Sequence, residues 1–241
     1  MTIERDVDYA VGQTHMRGLL VAPDDAKSAP TVLLIHDAFG LGEDMIAIAR
    51  DIATLGYTVF AADVWGDRIT PGSQPEIGPL IGAMVGDRPQ WHARLTEAQR
   101  VAAAQPEVDA DRIVLLGYCF GGSSALEFLR TGGQALGALA IHPGLDLIEF
   151  DWAGARTGAQ VHIELGADDP MATAEQCAQL QDALDGAGID WQLNLYGKTV
   201  HAFTSRKAQD SPAPHVFDYH PRNARRAWES TTRFLAETLG A

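Results

Sequence analysis

The sequence lacks several features that would place it in other classes of protein. No apolar run approaches the roughly 20 residues needed to span a bilayer, and the N-terminus has neither the basic start nor the apolar core of a secretion signal. Only 18 Lys and Arg residues stand against 32 Asp and Glu residues, a formal charge of −14. Because nucleic acids and anionic membranes require a concentrated basic surface, we expect neither as a partner. We expect a cytoplasmic protein.

Cofactor motifs and paired cysteines are also missing. No Gly-x-Gly-x-x-Gly or Walker pattern occurs, which argues against a nucleotide cofactor. His36, His142 and His162 lack metal-ligand spacing and are interpreted as core or turn residues. A reducing compartment disfavours a disulfide between the two cysteines, Cys119 and Cys177, and Cys177 is interpreted as a packing residue of a helix. We therefore expect no cofactor and no metal.

Strands and helices alternate along most of the 241 residues, which suit one α/β domain over residues 1–241. The pattern predicts a mostly parallel central sheet with helices on both faces. The Gly- and Pro-rich segment 65–89 is predicted to be a lid or specificity loop, and the weak periodicity of its centre at 77–85 is compatible with a short helix. Predicted strands cover 7–10, 16–22, 31–35, 57–62, 113–116, 136–141, 160–165 and 191–196, and predicted helices cover 43–55, 90–105, 123–129, 173–186 and 222–239.

The stretch Gly-Tyr-Cys-Phe-Gly-Gly at 117–122 lies between a predicted strand and a predicted helix. Glycines on both sides of Cys119 allow a tight turn that holds the cysteine in a strained conformation. This is the nucleophile-elbow pattern with Cys in place of Ser. On the motif alone, a buried apolar cysteine or a phosphate-binding turn explains the pattern equally well.

Further reactive side chains follow other predicted strands, namely Asp168, Asp169 and His201. The carboxyl ends of parallel strands lie at one edge of a sheet, and the chain order nucleophile, acid, histidine is that of an α/β-hydrolase. A free thiol, with a pKa of about 8.5, is mostly protonated at neutral pH and needs a helix start or a base to become thiolate. The sequence therefore predicts a triad of Cys119, His201 and one of the two aspartates.

The whole chain resembles the dienelactone hydrolase family of α/β-hydrolases. The resemblance rests on the elbow at 117–122, on His-Asp-Ala-Phe-Gly at 36–40 and on Tyr-Gly-Lys-Thr-Val-His-Ala-Phe-Thr at 196–204. It implies the α/β-hydrolase fold, with Cys119 as nucleophile and His201 as base. The acid of the family follows a glycine by three residues, which favours Asp169 and leaves Asp168 as the alternative.

Other site residues follow from the same turns and from the resemblance. The backbone amides of Ala38 and Phe120 are predicted to form an oxyanion hole. Asp37 occupies the place of a family Glu that holds the resting thiol, and its alternative role is that of a turn or helix-cap residue. The family member that acts on dienelactone binds the substrate carboxylate with two arginines. Arg68 and Arg206 lie one residue away from the corresponding sequence positions, and the alternative is that both are solvated surface residues.

The predicted function is hydrolysis of a small, dienelactone-like ester or lactone through a thioester acyl-enzyme. The alternatives are acyl transfer by the same nucleophile and a non-catalytic ligand-binding module that keeps the fold. The only predicted partner is the small-molecule substrate, and the protein is expected to be a monomer or a small homo-oligomer.

Overall fold

The computed structural model describes residues 1–240. The chain divides into two compact units, Met1–Leu116 and a second one that begins at Gly117. Besides a 3-10 turn at Arg206–Asp210, the elements are strands β1 (Thr2–Val11), β2 (Thr14–Pro23), β3 (Ala29–Ile35), β4 (Thr58–Ala62), β5 (Val108–Tyr118), β6 (Gly137–Ile141), β7 (Gln160–Gly166) and β8 (Asp190–Tyr196), and helices α1 (Glu43–Thr54), α2 (Gln74–Gly86), α3 (Arg88–Ala103), α4 (Phe120–Arg130), α5 (Ala174–Gly186) and α6 (Pro221–Leu239).

The first unit begins with an antiparallel hairpin. β1 pairs with β2 from Thr2 opposite Pro23 to Val11 opposite Thr14, and β2 pairs antiparallel with β4. β3 and β4 are parallel. Exposure alternates along β1, whereas β4 is buried throughout and β3 from its third residue onward. This difference follows from the sequence, because a continuous apolar run suits a strand covered on both sides. Helices α1 and α3 pack on these strands.

The second unit contains three parallel strands in the order β6, β7, β8. The register of the last pair runs from Gln160 opposite Asp190 to Gly166 opposite Tyr196. Helices α4 and α6 pack on β6, and α5 packs on β8. Because parallel strands end at the same edge, the loops that follow β6, β7 and β8 emerge side by side.

A cluster of buried and half-buried polar side chains joins β7, β8 and α6. The fully buried carboxylate of Glu164 accepts hydrogen bonds from Asn194 Nδ2 at 2.9 Å and from the Tyr196 hydroxyl, and its Oε1 lies 2.7 Å from His162 Nε2. The Ser230 hydroxyl lies 3.0 Å from the same nitrogen of His162. The buried charge is thus surrounded by hydrogen-bonding partners, as the low-dielectric interior requires.

Helix α4 carries a buried ion pair. The carboxylate of Glu127 is fully buried and lies 2.6 Å from the Arg130 guanidinium. Arg130 also donates to the Asp151 carbonyl at 2.7 Å and contacts Glu149 at 3.1 Å, so that it ties the segment after β6 to the helix.

The predicted fold class is confirmed, since the strands form an eight-stranded, mostly parallel sheet. Within the segment 65–89, α2 is longer than the short helix considered for residues 77–85. It begins directly after Ser73, whose hydroxyl donates to Glu76 Oε1 at 2.9 Å. β5 begins at Val108, earlier than predicted, because Asp109, Asp111 and Arg112 are charged and the stretch 109–112 lies largely exposed and gives no apolar signal. The lid role of 65–89 and the single domain stay predictions.

Candidate active site

Cys119 lies at the tip of the turn between β5 and α4 and is partly exposed. Its backbone has φ 53° and ψ −118°, in a region that residues with side chains rarely adopt. Its amide donates to the Ile141 carbonyl at 2.9 Å, which fixes the turn to the end of β6. A Cβ atom on Gly117 would lie 1.9 Å from the Gly121 carbonyl oxygen, so only glycine fits there. The strain at Cys119 is therefore held by backbone packing on both sides.

His201 lies directly beside this thiol. Its Nε2 is 3.1 Å from Cys119 Sγ, and its ring is completely buried. The backbone around it is anchored because the His201 amide donates to the Val216 carbonyl at 3.0 Å. The ring also packs edge-to-face on Phe217, with centroids 5.7 Å apart. These contacts hold the imidazole in one orientation.

Asp169 binds the other nitrogen of the same ring. His201 Nδ1–H donates to Asp169 Oδ2 at 2.8 Å, and Asp169 Oδ1 accepts from the Met171 amide at 2.8 Å. The turn that carries Asp169 approaches the His201 loop closely, since a Cβ on Gly166 would lie 2.2 Å from the Thr199 carbonyl oxygen. Of the two aspartates, Asp169 is the one in contact with His201, while its neighbour is exposed.

The charges around His201 determine its protonation. Burial alone lowers the pKa of the imidazole, but negative charge on Cys119 and the hydrogen bond to Asp169 outweigh this and raise the pKa of His201 to about 10. An imidazole placed between a thiol and a carboxylate can take the thiol proton and keep it as imidazolium.

The turn after β3 contains two further predicted residues, Asp37 and Ala38. Asp37 Oδ1 accepts the Phe39 amide at 2.8 Å, which is the geometry of a turn residue. The Asp37 carbonyl accepts from His36 Nδ1 at 2.7 Å, and the Ala38 carbonyl accepts from Trp65 Nε1 at 3.3 Å. Phe120, the other predicted oxyanion donor, is the first residue of α4. The gating and oxyanion roles stay predictions.

The two predicted carboxylate-binding arginines differ in their surroundings. The guanidinium of Arg68 donates to the carbonyls of Gly18 and Arg17 at 2.7 and 3.1 Å and contacts Asp6 at 2.7 Å. Arg206 begins the 3-10 turn and is exposed. Arg68 is therefore engaged within its own unit, whereas Arg206 extends towards solvent.

Sequence reasoning gave no functional role to His142 or Thr204, which the structure places near His201. The His142 ring packs against His201, with centroids 5.2 Å apart, and His142 Nε2 lies 2.8 Å from Thr204 Oγ1. The available signal was position, because His142 directly follows β6 at the edge where the loops meet.

Over residues 1–240, no helix is both long and apolar enough to cross a membrane. Within the same range, no group of three or more His, Cys, Asp and Glu side chains is arranged to hold a metal ion.

Comparison with known proteins extends these observations. A model of the dienelactone hydrolase family matches residues 16–239. A solved dienelactone hydrolase-like promiscuous phosphotriesterase from metagenomic libraries is 30% identical, with a TM-score of 0.92 over 99% of both chains. A protein of Aquifex aeolicus, provisionally named a carboxymethylenebutenolidase, is 22% identical over 244 residues, covering 97% of this chain and 98% of that protein. Hydrolase pyvD of Aspergillus violaceofuscus is 26% identical over 186 residues, covering 76% and 74%.

The parallel sheet and the strand–turn–helix around Cys119 define an α/β-hydrolase fold. The chain belongs to the dienelactone hydrolase family. The predicted enzyme class, a carboxylic ester or lactone hydrolase, is thereby confirmed.

Proposed function

We propose that the protein hydrolyses a small ester or lactone with Cys119 as the nucleophile. The observation that carries the proposal is the continuous contact from Cys119 Sγ to His201 Nε2 at 3.1 Å and from His201 Nδ1 to Asp169 Oδ2 at 2.8 Å. A nucleophile, a base and an orienting acid within hydrogen-bond distance are the parts that acyl transfer requires.

In the proposed reaction the Cys119 thiolate attacks the substrate carbonyl carbon, and the carbonyl π electrons move onto oxygen. The amides of Ala38 and Phe120 are the proposed donors to this oxyanion. When the tetrahedral intermediate collapses, the bond to the leaving alkoxide breaks, and the His201 imidazolium donates its proton to that oxygen. The product of this half-reaction is a thioester on Cys119.

Water completes the cycle. The neutral imidazole of His201 takes a proton from a water molecule that attacks the thioester carbonyl. When this second tetrahedral intermediate collapses, the C–S bond breaks and the acid leaves, so that the Cys119 thiolate and the His201 imidazolium are restored. Asp169 keeps the ring in the tautomer with a proton on Nδ1 and stabilises the imidazolium in each half-reaction. A lactone substrate gives a single ring-opened hydroxy acid.

The names of the relatives support a narrower proposal for the substrate. We propose that carboxymethylenebutenolide, the dienelactone for which the Aquifex aeolicus protein is named, is a substrate. Arg206 is the better placed of the two arginines to bind its carboxylate, since Arg68 already donates to Gly18 and Arg17 and pairs with Asp6. Arg206→Ala should raise KM for carboxylated lactones about tenfold and leave KM for neutral esters unchanged, because a charge-assisted hydrogen bond contributes about 1.5 kcal/mol.

The deciding experiment compares wild type, Cys119→Ala and Cys177→Ala on a panel of small esters and lactones that includes dienelactone. Cys177 is the matched control because it is the other cysteine and is buried in α5. We expect turnover to vanish only in Cys119→Ala, and intact-mass spectrometry to detect an acyl group on wild type. Undiminished turnover by Cys119→Ala would reject the mechanism. Products formed with an added amine acceptor separate hydrolysis from acyl transfer.

A second candidate activity is cleavage of phosphotriesters. It is favoured by the 30% identity and the TM-score of 0.92 to a dienelactone hydrolase-like promiscuous phosphotriesterase. The test is release of phenol from a diethyl aryl phosphate by wild type and Cys119→Ala. Continued release beyond one equivalent supports the activity, and a single stoichiometric burst rejects it.

We place the reaction in the cytoplasm, because both cysteines are free and a reducing compartment keeps thiols in that state.

A further inference from the structure

His142 lies between the end of β6 and the loop that carries His201. Its side chain is buried, with 2% of the residue exposed. Its ring meets the His201 ring edge-to-face, with centroids 5.2 Å apart at an interplanar angle of 66°, and meets Phe203 at 5.4 Å. The preceding residue, Ile141, supplies the carbonyl that accepts the Cys119 amide. His142 therefore contacts His201 directly and follows Ile141, the residue that anchors Cys119.

Two features make a histidine unfavourable at this position. The backbone φ of His142 is 38°, in the left-handed region that disfavours residues with a side chain. The Nδ1 atom is buried without a hydrogen-bond partner among residues 1–240, and a buried unpaired polar atom destabilises the fold. A phenylalanine would fill the same space without an unpaired nitrogen. Packing alone therefore does not account for the imidazole.

What the imidazole adds is a hydrogen bond to the loop of His201. His142 Nε2 lies 2.8 Å from Thr204 Oγ1, and Thr204 belongs to the turn closed by the Ser205 amide and the Ala202 carbonyl at 2.8 Å. That turn directly follows His201, and Ala202 itself has a positive φ of 57°. The hydrogen bond thus joins the end of β6 to a strained turn, and that turn directly follows His201, the proposed base.

Resting on the function proposed above, we propose that His142 is a positioning residue. Through its hydrogen bond to Thr204 and its ring contact, it holds the His201 imidazole in the orientation that meets Cys119 on one side and Asp169 on the other.

The ring performs this role in its neutral form. Burial, and after it the charge of His201, lower the pKa of His142 well below its ordinary value, so no second cation forms beside the imidazolium. The other titratable groups that act on this pair are Cys119, Asp169 and Asp146. A hydrogen-bonded neutral ring can therefore orient His201 without opposing its charge.

Three variants test the proposal. His142→Phe keeps an aromatic ring and removes the hydrogen bond, Thr204→Val keeps the side-chain shape and removes the hydroxyl, and Thr204→Ser keeps the hydroxyl. If the bond positions His201, the first two should each lower kcat about 10- to 100-fold with KM unchanged, and the double variant should lose no more than either one. Thr204→Ser should recover kcat to within about threefold of wild type.

A second readout follows the pair itself. The rate at which iodoacetamide alkylates Cys119 is measured against pH in wild type, His142→Phe and Thr204→Val. At neutral pH the two variants should be alkylated several-fold more slowly than wild type, because a misoriented ring takes the thiol proton less readily. A residue that merely packs would change the unfolding midpoint and leave this profile in place.

Unchanged kcat and an unchanged alkylation profile in Thr204→Val would overturn the proposal, as would multiplicative losses in the double variant. If His142→Phe does not fold, the comparison of Thr204→Val with Thr204→Ser tests the proposal by itself, because valine and serine are both close in size to threonine. Failure of the proposed function is a separate result. It would appear as equal turnover by Cys119→Ala and by the protein with all its residues intact, whatever the His142 and Thr204 variants do.

Discussion

Replacing Asp169 by Asn is the sharpest test of how the site works, because the change alters one atom that contacts His201. Asp169 Oδ1 holds the Met171 amide at 2.8 Å, and Oδ2 accepts His201 Nδ1–H at 2.8 Å. An asparagine keeps the first bond through its amide oxygen and then presents an NH₂ group to Nδ1. The ring must respond by moving its proton to Nε2, the atom that faces the thiol.

A ring in that tautomer cannot accept the proton of Cys119. We expect Asp169→Asn to lower kcat about 10³- to 10⁴-fold, a barrier increase of about 4 to 5.5 kcal/mol, which is the size of effect that the wrong tautomer produces in a Ser-His-Asp triad. The fold should survive, because the Met171 bond is retained and the substitution is isosteric.

Asp168→Asn is the matched control. Asp168 is the exposed neighbour, and its backbone amide keeps its bond to the Thr199 carbonyl at 2.9 Å whatever the side chain. We expect its kcat to stay within about twofold of wild type, as for a surface substitution remote from the reacting atoms. Initial rates on an aryl ester, with urea unfolding of each variant, provide the comparison. Equal losses in both variants, or more than a tenth of wild-type kcat in Asp169→Asn, would refute the reasoning.

Further predictions concern stability and pH. Glu127→Gln removes the fully buried carboxylate that pairs with Arg130 and leaves the more exposed Glu149 as an acidic contact, so it should cost about 3 kcal/mol of unfolding free energy in urea. Glu97→Gln, in the exposed pair with Arg100, should cost less than about 1 kcal/mol. Equal costs would contradict the role of burial. Gly117→Ala places a Cβ 1.9 Å from a backbone oxygen and should yield no folded protein by circular dichroism. Gly82→Ala, in α2 at a position where a Cβ meets nothing within 4 Å, should raise the free energy of unfolding by about 0.5 to 1 kcal/mol. Because the pKa of His201 is raised to about 10, kcat/KM for an ester should fall only as the pH passes about 10, where the imidazolium that protonates the leaving group is lost; a decline centred near pH 6.5 would contradict this protonation state.

Much of this site could be anticipated from position along the chain. Cys119, Asp169 and His201 each come shortly after a predicted strand, and the edge rule for parallel sheets places them together. The structure shows them within hydrogen-bond distance, although their catalytic roles stay predictions. The resemblance favoured Asp169 over Asp168, but the residues alone left both open, because the distinction depends on which carboxylate the local turn directs towards His201.

Other features depend on contacts that the sequence does not encode locally. The partners of Arg68 lie on β1 and β2, about fifty residues or more earlier in the chain, so their engagement follows from strand pairing rather than from a motif. Helix α2 was obscured by its glycines and by Pro79, whereas its start signal, Ser73 followed three residues later by Glu76, was present. The Ser73 side chain makes no capping bond to a backbone amide of the helix, and Glu76 accepts from the Gly72 amide and from the Ser73 hydroxyl, both at 2.9 Å.

The polar cluster on β7, β8 and α6 has a consequence for how the chain assembles. Glu164 pairs in register with Asn194, and Tyr196 lies two residues further along the same face of β8. A slip of one residue would turn both side chains to the opposite face and leave a buried carboxylate without two of its donors. An apolar strand tolerates such an error more easily. The cluster thus favours a single register of β8 and, with it, the point at which the strand ends and the loop that carries His201 begins.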